Sequence, residues 1–106
     1  MPDVAQGARR RVLNSLEGIQ SVVLTARNST KIPTDYQTFE LVLTILSGCR
    51  HSIERTQDQE QIIEILLNTS DRLRLWQSGI TETVVRSARV AINETVADLE
   101  RKKRDL

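Results

Sequence analysis

Apolar residues in this 106-residue chain fall on four stripes, each with helical spacing. Within residues 3–28, Val12, Leu16, Ile19, Val23 and Ala26 recur at steps of four and three, which stacks them on one side of an α-helix. "NSTKIP" then supplies polar loop formers and a proline. Thr34 with Gln37 has the form of a capping box for the helix that follows. That helix carries Phe39, Val42, Leu46, Cys49 and Ile53. The third stripe is Ile62, Leu66, Thr69, Leu73 and Trp76, and the fourth is Val85, Ala88, Ile92, Val96 and Leu99.

Phase decides whether the second and third stripes share a helix. Nine residues lead from Ile53 to Ile62, and at roughly 100° per residue the stripe arrives on the opposite side. The intervening "RTQDQEQ" also offers Thr56 with Gln59, or Asp58 with Gln61, as new capping boxes. A break is expected there. At the far end of the third stripe, Gly79 reads as the residue that ends the helix, with Leu75 and Ile80 as the apolar pair of a Schellman motif. Thr81 then caps the fourth helix, with Ile80 and Val85 as a hydrophobic staple. Trp76 becomes the last core anchor of its helix. The prediction is an all-α fold, residues 1–106 forming one antiparallel up-down-up-down four-helix bundle able to dimerise. The alternative is three helices with a long bent middle helix, which would need a dimer to bury both its sides.

Composition narrows this picture without changing it. Four glycines and two prolines are too few for a β fold with many short strands. Fifteen Lys and Arg against fourteen Asp and Glu leave a net charge of +1, so no global field steers nucleic acid. Cys49 is the single cysteine, which excludes an intramolecular disulfide and points to a reducing, cytoplasmic setting. Neither a signal-peptide segment nor a run of 18 apolar residues occurs.

Catalytic and metal chemistry find little support. One His and one Cys do not make the usual three- or four-ligand zinc site, and no Glu-x-x-His pair of a diiron bundle occurs. None of the four glycines forms a phosphate-cradling loop before a helix. Cys49 and His51 are two positions apart on a helix and point away from each other. In "HSIERT", Glu54 and Arg55 stand where a histidine phosphotransfer bundle would have Lys and Gly, so that resemblance fails. No catalytic residue, cofactor, metal ligand or small-molecule substrate is assigned.

Two surfaces remain. "FELVLTIL", residues 39–46, is polar only at Glu40 and Thr44, so Leu41 and Ile45 widen the apolar side of the second helix beyond the stripe a bundle needs. Ile63 and Leu67 do the same on the third helix. Leaving such residues in water forfeits about 1.5–3 kcal/mol for each Leu or Ile that could be buried. A protein interface at Leu41, Ile45, Glu40, Ile63 and Leu67 is therefore expected, with self-association as its simplest form. The second surface is a basic pole where both chain ends meet, made by Arg9, Arg10, Arg11, Arg101, Lys102, Lys103 and Arg104. Two functions follow in order. The first is a non-catalytic adaptor, assembly or regulatory module that binds protein through the second helix. The alternative is association with nucleic acid or an anionic membrane through the basic pole.

Overall fold

The structure, a computed structural model, describes residues 4–56, 58–76 and 79–104, with side chains described for residues 7–56, 58–76, 79 and 81–101. Four helices follow in order: α1 (Val4–Ser29), α2 (Pro33–Glu54), α3 (Gln59–Arg74) and α4 (Glu82–Arg104), with one 3-10 turn at Gly79–Thr81. They form an antiparallel ring in which α1 packs on α2, α2 on α3, α3 on α4 and α4 on α1, with little contact across the α1–α3 diagonal. The bundle measures 50 × 20 × 17 Å.

All four stripes face the axis of this ring. Each of their residues is buried except Ala26 and Trp76, which are half-buried and pack against the core. Ala8 extends the first stripe by one turn, at 1% exposure. Thr69 is buried within the third stripe and donates its hydroxyl to the Ile65 carbonyl at 2.8 Å. That bond lets a polar residue occupy a core position without an unsatisfied donor.

Helix ends show where local signals prevailed and where they did not. The break between α2 and α3 is present, so the bent-helix alternative does not occur. Asp58 is the N-cap of α3, and its carboxylate accepts the Glu60 backbone N–H at 3.0 Å. Asp58→Ala is expected to cost about 1 kcal/mol of stability, measurable as a lower urea midpoint with an unchanged denaturant slope. The Thr34–Gln37 capping box does not form. Instead α2 starts at Pro33, with Ile32 in the cap position and no side-chain cap. Proline presets the helical φ and has no N–H to satisfy, which makes the first turn its natural place. Thr34 is therefore already helical, and its carbonyl accepts the Thr38 hydroxyl at 3.0 Å.

Helix α3 also ends earlier than the Gly79 signal implies. Its last residue is Arg74, and Leu75 and Trp76 close the final turn with bonds to the Arg72 and Leu73 carbonyls at 3.3 and 3.0 Å. Leu75 is 79% exposed, whereas a Schellman partner would be covered. Gly79 keeps the left-handed backbone, with φ 60°, but uses it to turn into the 3-10 segment. Thr81 stands immediately before α4 and donates its hydroxyl to the Trp76 carbonyl at 3.0 Å. This bond ties the end of α3 to the start of α4. The Ile80–Val85 staple lies outside the described side chains, although Val85 itself is buried.

Candidate interaction surfaces

The five residues expected at a protein interface occupy three different edges of the bundle. Glu40 is on the α1-facing edge of α2, where it pairs with Arg27. The Arg27 guanidinium also lies 5.4 Å from the Tyr36 ring centroid, within reach of a cation–π contact. Further along the same seam, Gln20 donates to the Ser47 hydroxyl at 3.2 Å. Glu40 thus fastens α1 to α2 and is not a flank of the Leu41–Ile45 surface.

Leu41 and Ile45 are one turn apart on the opposite edge of α2. Ile45 is half-buried and lines a groove of about 260 Å³ between α2 and α3, together with Gly48, Cys49, Ile65, Thr69 and Arg72. Leu41 continues that edge toward the α1–α2 loop and is 44% exposed. Leu75 follows Arg72 by three residues, which carries the α3 side of the groove in the same direction. The structure therefore joins Leu41 and Ile45 to an apolar residue, Leu75, that the stripe pattern assigns to a helix cap.

Ile63 and Leu67 face the other way. Leu67 stands one turn before Ser70, whose carbonyl accepts the Arg89 side chain of α4 at 3.1 Å. This places Leu67 on the α4-facing edge of α3, where it is 44% exposed. Ile63, one turn earlier, is half-buried and packs against the core.

At the pole where the chain ends meet, the arginines are partly absorbed by the fold. Arg9 donates to the Thr56 carbonyl at 3.1 Å, which fastens α1 to the α2–α3 connection. Arg101 pairs with Asp98 at 3.1 Å. Gln59 donates to the Leu99 carbonyl at 3.0 Å and closes α3 onto α4. Arg10 and Arg11 are exposed, while the side chains of Lys102, Lys103 and Arg104 lie outside the described residues. A residue missed from the sequence, Arg50, joins Arg9 and Arg10 around a groove of about 300 Å³ that also holds Glu17. Arg50 is itself paired with Glu54 at 3.3 Å. Among the described residues, Glu17, Glu54 and Asp98 stand beside the arginines of this pole.

A further groove, of about 440 Å³, runs between α1 and α4 and is lined chiefly by small and aliphatic residues such as Gly18, Val22, Val84 and Ala91. Its residues give no signal as separate helices, because the groove exists only where two helices meet.

Reactive groups are sparse in the interior. Cys49 is 4% exposed; burial pushes its thiol above the ordinary value, and a hydrogen bond with the Thr69 side chain offsets part of that rise. Ser70 Oγ and one Asp35 carboxylate oxygen are buried without a hydrogen-bond partner. Asp35 itself is half-buried in the first turn of α2. There its charge opposes the positive end of the helix. No group of three or more His, Cys, Asp and Glu placed to hold a metal ion occurs among the described residues. None of the described helices is long and apolar enough to cross a membrane. Comparison with protein-family models, with curated proteins and with solved structures gives no match.

Proposed function

We propose that this chain is a non-catalytic protein–protein interaction module, an adaptor, assembly or regulatory bundle that docks a partner on the α2–α3 edge. The observation that carries the reading is the exposure of Leu41, 44%, on α2 and of Leu75, 79%, at the C-cap of α3, the two helices that border one groove. Exposed apolar side chains next to a partly polar groove form the centre-and-rim pattern of a docking surface. Leu41 acts as the anchor. Ile45 forms part of the floor, and Arg72 and Asn68 supply polar contacts that orient the partner. No cofactor or small-molecule substrate enters this reading. A cytoplasmic, reducing setting suits a chain whose single thiol is packed in its core.

Leu41→Glu tests the proposal without disturbing the core, whereas Ile45 packs inward and is a poorer choice. The variant is expected to keep the helical circular-dichroism signal and thermal midpoint of the parent. It should lose the proteins that the parent retains when both are immobilised and exposed to cell extract. Unchanged retention would remove Leu41 from the interface. Collapse of the helical signal would return it to the core.

A further inference from the structure

We propose that the partner docked on the α2–α3 edge is an amphipathic helix of another protein, with a carboxylate in its apolar stripe that pairs with Arg72. The inference rests on the docking reading above and names the chemistry of the partner. Both sides of the groove are spaced for a helix. On α2 the line is Leu41, Ile45, Gly48 and Ser52, and on α3 it is Ile65, Asn68, Arg72 and Leu75. Steps of four and three keep each set on one side of its helix, the spacing by which a third helix tracks a groove between two others. From Leu41 to Ser52 the line is roughly 16 Å long, about three helical turns.

The two lines run antiparallel, and the hydrogen bond between the Cys49 and Thr69 side chains sets their register. One turn from that bond toward the α1–α2 loop, Ile45 stands level with Arg72. A further turn brings Leu41 near the level of Leu75. This end of the groove is therefore apolar with one cation set into it.

Charge sets the chemistry of the occupant. Arg72 is the one lining residue that is charged at neutral pH, and no carboxylate lines the groove among the described residues. No ion pair holds its guanidinium among the described residues, whereas Arg27, Arg50 and Arg86 are paired with Glu40, Glu54 and Glu82. Asp71 and Glu64 are exposed on the same helix but do not line the groove. Asp71 is turned by about 100° from Arg72. A wholly apolar helix laid over Ile45 and Leu75 would bury the guanidinium without a counter-charge, which is costly. A carboxylate arriving among apolar neighbours satisfies it.

Gly48 opens the middle of the groove. A Cβ there would meet nothing within 4 Å, so packing inside the bundle does not call for glycine, and a helix interior disfavours it relative to alanine. The missing side chain lets an incoming helix approach α2 closely, across from Asn68.

A display library of one amphipathic helix on a fixed scaffold, its stripe positions randomised, tests this partner against the immobilised chain. Enriched helices are expected to carry Asp or Glu at one fixed stripe position, with apolar residues a turn to either side. Selection against Arg72→Glu should move that position to Lys or Arg. A helix enriched on the parent should bind Arg72→Ala about ten- to a hundredfold more weakly, the loss of one charge-assisted hydrogen-bonded pair. Gly48→Leu should keep or raise the thermal midpoint of the parent and lose the same helix, because only the groove is filled. Enriched helices with no acid in the stripe, yet lost with Leu41→Glu, overturn this inference and leave the docking reading standing. Helices that ignore Leu41→Glu, Gly48→Leu and Arg72→Glu alike overturn both, as does the absence of any enrichment. A parent dimer that Leu41→Glu dissolves also overturns the inference, since a second copy then covers the edge.

Discussion

Leu46→Ala is expected to lower the free energy of unfolding by about 2–5 kcal/mol. Leu46 lies midway along α2 at 0% exposure, in the core that all four helices share. Truncation removes its transfer free energy and leaves a cavity that four closely packed helices fill only in part. A domain of this size is held by roughly 5–15 kcal/mol, so the variant forfeits a large fraction of the total. Urea titration should show a much lower midpoint with little change in slope. The neighbouring change Leu41→Ala, at a position 44% exposed, should cost well under half as much. Equal losses at the two sites would mean that α2 is rotated about its axis relative to the orientation described.

The second large effect is a dependence of stability on alkaline pH that belongs to Cys49. Its thiol titrates above the ordinary value of 9.0 in the folded chain because burial disfavours the thiolate, an effect that the Thr69 hydrogen bond reduces but does not cancel. Cysteine is neutral when protonated, so the sign follows directly. Above the ordinary value the unfolded chain releases this proton while the folded chain retains it. The unfolded state then binds fewer protons, and stability falls as pH rises. The loss begins near pH 9.0 and continues until pH reaches the folded-state value. Its slope is at most about 1.4 kcal/mol per pH unit, the limit for one proton. Below about pH 8 the group contributes almost no slope. Urea titrations of the parent and of Cys49→Ala across roughly pH 7–10 isolate this contribution, because other titrating groups are common to both chains. Identical slopes would show that the thiol reaches solvent when it ionises. The same burial should make Cys49 react with alkylating reagents only as fast as the bundle opens.

Much of this architecture is legible because a helix in a bundle needs only one apolar stripe, and each stripe here is regular. Val12 to Ala26 on α1 and Val85 to Leu99 on α4 are in phase with the core, and all of these stripe residues are buried or packed on it. The break before α3 is equally clear, since a stripe that reappears on the wrong side cannot continue the same helix into the same core. Helix ends are harder. A hydroxyl and an amide three residues apart suggest a cap at Thr34, yet Pro33 has already started the helix. Similarly, Gly79 keeps its left-handed backbone but lies beyond a helix that ends at Arg74.

The interface residues illustrate a different limit. Leu41, Ile45, Ile63 and Leu67 all lie beyond the main stripes, as their spacing implies. Helical periodicity places a residue relative to its own helix axis, however, and says nothing about which neighbour stands beside it. Only the ring order of the helices sends Leu41 and Ile45 to the α2–α3 groove and Leu67 to the α3–α4 seam. The same order turns Glu40 inward to Arg27 and brings Arg50 beside Arg9 and Arg10.

Local sequence alone was enough to specify four helices, their buried sides and the antiparallel course imposed by short connections, since each depends on residues within a few turns of one another. Tertiary structure alone decided the grooves, the cross-helix bonds such as Arg9 to Thr56 and Gln59 to Leu99, and the exposure left to each extra apolar residue. These depend on which helices become neighbours and at what rotation, which is settled by packing four stripes at once and is encoded in no single one of them.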